Sequence, residues 1–181
     1  MRIIAGEMRG RKLKTVSGMD TRPTADKVKG AIFNVLREKV QDARVLDLFA
    51  GTGNLALEAL SQGAQEVVLV EKAYTAQKVI QENLTLIGEA QAKLYSMDAF
   101  EFLKQYPEAR FDLIFLDPPY RQELVSKALS SLSEPCRLTE FGVIIAETAS
   151  EEELQLSEPF EIRKTSEYGD TKIWYIQRCI E

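Results

Sequence analysis

Apolar positions along the chain recur with two different periods, and the switches between them predict the elements. Short apolar runs at 45–49 (V-L-D-L-F), 67–71 (V-V-L-V-E), 92–96 (A-K-L-Y-S), 111–117 (F-D-L-I-F-L-D) and 142–147 (G-V-I-I-A-E) read as buried strands. Between them, helical spacing predicts helices over about 53–61, 73–86, 99–104 and 122–132, with Gly63, Gly88 and Pro107 as stop signals. Ahead of the first strand, Val28, Ile32, Val35 and Leu36 predict a helix over 25–39, with Thr24 as its cap. Earlier still, Ile3, Ile4 and Leu13 around Gly6 and Gly10 predict a small β-hairpin. Two late strands, near 159–165 and 172–178, have no helix between them and are expected to pair antiparallel at one edge. Strands alternating with helices imply an α/β fold, a Rossmann-like parallel sheet covered on both faces.

Composition narrows this picture. The chain has 181 residues, 45% apolar and 28% charged, which suits one globular unit with its own core. No apolar run reaches 18 residues and no apolar stretch follows Met1, so a cytoplasmic protein without membrane attachment is expected. Cys136 and Cys179 lie far apart outside any C-x-x-C pattern, which argues against a disulfide scaffold or a cysteine zinc cluster. There is no histidine, so His-based triads, His general bases and most transition-metal sites are excluded, and no metal is expected. Charge is unevenly placed. Residues 1–44 hold 11 Lys/Arg and 5 Asp/Glu, a net of +6, against −5 for the whole chain. Two parts are expected, a basic extension over 1–44 and an acidic body over 45–181. The hairpin would fan Arg2, Arg9, Arg11 and Lys12 outward toward the phosphates of a nucleic acid.

The first strand runs into A-G-T-G-N-L-A, where Gly51, Gly53 and Ala56 fill a G-x-G-x-x-A frame at a strand-to-helix turn. Small residues there let a ligand approach the backbone and the N–H groups of the following helix. Glu71, twenty residues after Gly51 at the next strand end, is placed to accept hydrogen bonds from ribose hydroxyls. Spacing alone fits a dinucleotide or S-adenosylmethionine. Asp47 and Asp98, also at strand ends, favour the second, because carboxylates repel a pyrophosphate and attract a sulfonium and an ammonium. Asp98 is placed for the adenine amino group, or as the cap of the helix beginning at Ala99.

The strand over 111–117 ends in Asp117-Pro118-Pro119-Tyr120. Two prolines stiffen the turn and remove two N–H donors, leaving the Asp117 carboxylate and backbone carbonyls as acceptors. An exocyclic base amine is a poor nucleophile because its lone pair is delocalised into the ring. Accepting hydrogen bonds from its two N–H groups, through Asp117 and the Pro118 carbonyl, turns that lone pair toward a methyl donor. Tyr120 would stack on a base swung out of its helix or loop.

With the glycine loop, D-P-P-Y resembles the amino-group methyltransferases. R-I-I-A-G-E-M-R-G-R-K-L, T-R-P-T-A-D-K-V-K-G-A-I-F-N, D-L-F-A-G-T-G-N-L-A-L-E-A-L-S-Q-G-A and E-Y-G-D-T-K-I narrow the resemblance to the RsmD family, bacterial methyltransferases for guanine N2 in small-subunit (16S) rRNA. It covers about residues 1–178. The resemblance implies the seven-stranded S-adenosylmethionine-dependent methyltransferase sheet carrying an N-terminal hairpin and helix. It places Asp47, Gly51 and Gly53 around the methionine part, Glu71 on the ribose, Asp98 at the adenine, and Arg22, Pro23 and Thr24 near the cofactor pocket. The neighbours Phe49, Thr52, Lys72 and Ala99 are included in the expected cofactor site. Asp117, Pro118, Pro119 and Tyr120 would hold the guanine, and Arg121 and Tyr168 join the basic hairpin residues as expected RNA contacts. The implied partner is 16S rRNA on a 30S subunit or its assembly intermediate, met by a monomer. Gly30 departs from the Glu expected in the family's D-K-V-K-E stretch. An adenine-N6 DNA methyltransferase and a non-catalytic assembly factor that binds S-adenosylmethionine and rRNA are the alternatives. A cysteine-nucleophile cytosine enzyme is set aside, because Pro135-Cys136 lies beyond the helix that follows D-P-P-Y.

Overall fold

Apolar side chains on both faces of four successive strands can be buried only if helices cover both faces of the sheet. The computed structural model, which describes residues 1–18, 23–88 and 90–179, has that arrangement. In chain order the elements are α1 (Pro23–Leu36), β1 (Arg44–Asp47), α2 (Asn54–Ser61), β2 (Glu66–Val70), α3 (Tyr74–Ile87), β3 (Ala92–Tyr95), α4 (Ala99–Gln105), β4 (Phe111–Leu116), α5 (Leu124–Ser133), β5 (Leu138–Ala149), β6 (Phe160–Tyr168) and β7 (Thr171–Arg178). The seven strands are ordered β3-β2-β1-β4-β5-β7-β6. β1 to β5 are parallel, and β7 inserts antiparallel between β5 and the edge strand β6. The expected seven-stranded α/β sheet is therefore present, with the two late strands antiparallel at one edge.

One face is covered by the N-terminal segment, α1, α2 and α3, whose Ile3, Val28, Ile32, Leu57 and Ile80 pack on Val45, Phe115 and Ile145. α4 and α5 cover the other through Phe102, Leu103, Ala128 and Leu129 against Leu46, Ile114 and Ile144. Chain direction across the sheet reverses between β1 and β4. The crevice beyond their carboxyl ends is where open α/β sheets bind ligands.

Two elements and one core position differ from the pattern-based expectation. The helix expected over 25–39 begins at Pro23, ends at Leu36 and continues as a 3₁₀ turn over Arg37–Val40, because Arg37 takes a left-handed φ of 43° that breaks the α ladder. On α1 it is Phe33 that joins Val28, Ile32 and Leu36 in the core, while Val35 is exposed. β5, expected over 142–147, runs from Leu138 to Ala149, since β4 and β7 supply hydrogen-bond partners along both its edges.

The basic N-terminal segment is sewn onto the body. Arg2 bridges Lys12, with Ile3 N–H donating to the Arg11 carbonyl at 3.0 Å and Leu13 N–H to that of Met1 at 3.0 Å. Ile3, Met8 and Leu13 are buried in the core. Gly6, at φ +84°, lies so close to α2 that a Cβ would stand 1.8 Å from the Ser61 carbonyl oxygen, so no other residue fits there. Ser61 Oγ donates to the Ala5 carbonyl at 2.6 Å and accepts from Met8 N–H at 2.9 Å.

Candidate functional site

Three parallel strands reach the reversal in strand order side by side, and each carries an acid at or near its carboxyl end. Register pairs Asp47 of β1 with Phe115 of β4, and Leu116 of β4 with Ala146 of β5. Asp117 and Glu147, each one residue further on, therefore stand side by side with Asp47 flanking them. Strand alternation puts all three on the face of Phe115 and Ile145, toward α1.

A cleft of about 580 Å³ opens above them. Of the expected cofactor residues, Asp47, Phe49, Gly51 and Thr52 line it; of the expected target residues, Asp117, Tyr120 and Tyr168 do so. Gly53 caps α2 from a left-handed conformation of φ +83°, and a Cβ there would come within 3.2 Å of Leu69. Gly53 offers no capping side chain, so the first N–H groups of α2 are left to the loop, to the Asp47 carboxyl, which takes that of Ala56, and to whatever occupies the cleft.

Asp47 is 1% exposed and its Oδ1 has no hydrogen-bond partner. Burial pushes its carboxyl up to about 7, with Glu71 adding to the rise, while the N–H groups of Ala56 and Phe49 pull the other way. Asp117 is likewise held well above the usual carboxylate range by desolvation and by the carboxylates of Glu147 and Asp47. Solvent that reaches Asp117 through the open cleft tempers the first of these effects. Glu147 is raised by desolvation, with the Tyr120 hydroxyl working against the rise. Tyr120 donates that hydroxyl in a short hydrogen bond to Glu147 Oε1 and lies 3.0 Å from Thr171 Oγ1. Burial and the bond to Glu147 hold the Tyr120 phenol protonated, well above its ordinary range.

The remaining expected residues sit outside the cleft lining. Glu71 is folded over the glycine loop, its Oε2 accepting from Gly51 N–H and its Oε1 from Ala73 N–H, both at 2.8 Å. Each oxygen keeps a second acceptor site. Asp98 caps α4, accepting from Phe100 N–H at 2.8 Å and Glu101 N–H at 3.3 Å. Ala99 is buried beneath it and Lys72 is exposed. Pro118 is buried and Pro119 exposed. Arg121 is turned to the surface, where it pairs with Glu151 at 2.7 Å. Arg2, Arg9, Arg11 and Lys12 are all exposed, Arg11 reaching the Leu86 carbonyl at 3.1 Å. Arg22 lies outside the described residues, as does the side chain of Thr24.

Sequence reasoning missed Glu147, Thr171 and Lys29, all of which line the cleft. An acid closing an apolar strand marked Asp47 and Asp117, and the same signal in G-V-I-I-A-E marks Glu147. Lys29 carried no such mark. Its ammonium is 1% exposed and reaches Glu58 Oε2 at 2.9 Å, Asn54 Oδ1 at 2.7 Å and the Arg2 carbonyl at 2.7 Å.

Among known proteins, the profile of a family described as Conserved hypothetical protein 95 matches residues 1–177. Ribosomal RNA small subunit methyltransferase D of Haemophilus influenzae is 36% identical over 172 residues, spanning 93% of this chain and 89% of the relative. Its Escherichia coli K12 namesake is 34% identical over 151 residues, 83% and 76% of the two chains. The solved structure of yhhF from Escherichia coli superposes with a TM-score of 0.88 at 31% identity, covering 98% of this chain and 97% of that one. With sheet order, glycine loop and relatives in agreement, the chain belongs to the Conserved hypothetical protein 95 family, the RsmD family of methyltransferases.

Proposed function

We propose that this chain transfers a methyl group from S-adenosylmethionine to the exocyclic N2 amine of a guanine in small-subunit ribosomal RNA, presented on a 30S particle or its assembly intermediate. The observation that carries the reading is the meeting, in one cleft, of the Asp117-Pro118-Pro119-Tyr120 corner with the unpartnered Oδ1 of the buried Asp47 beside the glycine loop. Names of relatives that act on small-subunit rRNA support the substrate class.

The residues present suit the cofactor. Asp47 Oδ1 is a buried acceptor lacking a donor, the Gly51–Gly53 turn leaves backbone free for a close approach, and the acidic cleft attracts a cation. S-adenosylmethionine, when bound, supplies an electrophilic methyl group on a sulfonium. Asp47 would face its positive end, Glu71 its ribose through the second acceptor sites of its oxygens, and Asp98 its adenine.

For the target base, Asp117 and the Pro118 carbonyl accept the two N–H groups of the amine and hold the nitrogen lone pair clear of the ring. Tyr120 offers a ring fixed by its hydroxyl bonds to Glu147 and Thr171. The amine sheds one proton on methylation, and the raised Asp117 carboxyl is a stronger proton acceptor there than an ordinary carboxylate. Arg2, Arg9, Arg11 and Lys12 supply the phosphate contacts, with Tyr168 and Arg121 nearer the cleft mouth.

The test is nuclease digestion and mass spectrometry of 16S rRNA from cells with and without the protein. One N2-methylguanosine should vanish, and Asp117→Ala should fail to restore it, since loss of one such acceptor lowers transfer about 10²–10³-fold. Unchanged rRNA, or N6-methyladenine lost from DNA instead, overturns the reading.

A further inference from the structure

The Asp-Pro-Pro-Tyr corner explains how an exocyclic amine is held, and it would hold the amine of adenine as readily as that of guanine. Choosing between them requires a group that reads the ring atom beside the amine. In guanine that atom is N1, which carries a hydrogen and donates; in adenine it is a bare N1, which accepts.

Glu147 stands where such a reader is needed. Glu147 lies two residues before the end of β5 and Asp117 directly after β4, and the Leu116–Ala146 pairing sets the two carboxyls side by side on the same face. Its Oε1 is engaged by the Tyr120 hydroxyl, which anchors the carboxyl and the aromatic ring against each other. Its Oε2 has no hydrogen-bond partner among the described residues, and the side chain forms part of the cleft lining. A free acceptor thus sits next to the Asp117 acceptor, and the buried Asp47 with its unpartnered oxygen keeps the surroundings acidic. Two adjacent acceptors match a ligand edge with two adjacent donors, and guanine N1–H and N2–H form such an edge.

Resting on the reaction proposed above, we infer that Glu147 accepts the N1–H of the target guanine through Oε2 and so selects guanine over adenine. A carboxylate facing the bare N1 of adenine sets acceptor against acceptor, so rejection comes from repulsion as well as from a lost bond. The same arrangement gives the fourth motif residue a reason to be tyrosine, since phenylalanine would stack equally well and leave the Glu147 carboxyl unanchored. The Tyr120 hydroxyl counters the upward push of burial on Glu147 and so favours the acceptor-only carboxylate there.

The probe is 2-aminopurine, which keeps the exocyclic amine of guanine and has a bare N1. Small-subunit particles are reconstituted with either guanine or 2-aminopurine at the position that loses its methyl mark in the digest. Wild-type protein should show kcat/KM at least about 100-fold lower on the 2-aminopurine particle, as expected of a site built to bond the missing N–H. In Glu147→Gln the amide oxygen can still accept from Tyr120 while the NH₂ faces N1. That variant should lose about 100-fold on guanine and little on 2-aminopurine, so the preference collapses. Tyr120→Phe, which unanchors the Glu147 carboxyl, should slow transfer to guanine more than to 2-aminopurine and so weaken the preference without abolishing it.

Equal rates of the wild type on both particles overturn the inference, as does an equal loss on both in Glu147→Gln, the result a purely positioning role would give. If Glu147→Gln fails to fold by circular dichroism, the wild-type comparison decides alone. Absence of transfer to the guanine particle overturns the underlying reaction and this inference with it, a result distinct from transfer without preference.

Discussion

Two groups of charged side chains flank the same cleft and are settled in opposite ways. At the N-terminal side, Lys29 and Glu58, 1% and 0% exposed, form an ion pair in which the surroundings fill the remaining positions. Glu58 also accepts from Ile4 N–H, Ala5 N–H and the Gln62 amide. Lys29 places its three protons on Glu58, Asn54 and the Arg2 carbonyl. At the carboxyl ends of the central strands, Asp47, Asp117 and Glu147 gather three carboxyls, all raised by desolvation, with Glu71 adding to the rise of Asp47 and Glu147 and Asp47 to that of Asp117, and Asp47 keeps an oxygen with no partner. Satisfied buried charge of the first kind fixes architecture, here the seat of the basic segment on α1 and α2. Unsatisfied buried charge of the second kind is tolerated by a fold when a ligand completes it.

The contrast is broken most severely at the satisfied site. Lys29→Met leaves Glu58 buried with N–H donors alone and should destabilise the protein by about 3–5 kcal/mol in urea titrations, with the Lys29→Met/Glu58→Leu double variant recovering much of the loss. A double variant no better than the single would show that the hydrogen bonds to the N-terminal segment, rather than the ion pair, hold the seat.

The carboxyl cluster should respond in the opposite direction. The folded-state value of about 7 for Asp47 lies above the ordinary 3.8, so its contribution to the ligand-free fold is fully present below the ordinary value and is lost as pH climbs through about 7. Relative to the wild type, Asp47→Asn should therefore gain stability with rising pH, by as much as about 4 kcal/mol between pH 4 and pH 8. S-adenosylmethionine should raise the wild-type melting temperature more at pH 8 than at pH 6 and lose that pH dependence in the variant. Parallel stability curves for the two proteins would place the unsatisfied charge elsewhere.

Smaller effects sharpen the division between seat and cleft. Removing Arg9, Arg11 and Lys12 together should raise the KM for small-subunit particles about 10-fold and lower the salt slope by about two to three, leaving the cofactor Kd unchanged. A shift in cofactor affinity would mean that the basic segment shapes the cleft as well as meeting RNA. Gly30→Ala, beside Lys29 on α1, should add about 1 kcal/mol of stability, since its Cβ would meet only Ile4 Cδ1 at 3.7 Å. Thermal melts showing a loss would mean that α1 and the N-terminal segment are packed more tightly than that distance allows.

Much of this was legible in the chain. Strands β1 to β5 and the helices between them were marked by apolar runs and helical spacing, most strongly for β1, β2 and β4, because a strand buried on both faces has to be apolar throughout. Asp47, Gly51, Asp117 and Tyr120 were marked by local spacing at strand ends, and all of them line the cleft. Lys29 was illegible, since a lysine at a helix position ordinarily points to solvent and only the Arg2 carbonyl, Asn54 and Glu58 explain its burial. The full length of β5 was hidden for a related reason, its ends being paired by β4 and β7 rather than by any preference of their own.

The chain by itself determined the order of elements, the glycine turn and the acceptor-rich corner, because each follows from backbone constraints acting over a few residues. Tertiary structure alone decided that Glu147 stands beside Asp117, that Tyr120 is held by Glu147 and Thr171, and that a basic segment is clasped by a buried ion pair. Those relations join residues 27 to 54 positions apart, and strand register and helix packing bring them together where local sequence holds no record of the distance.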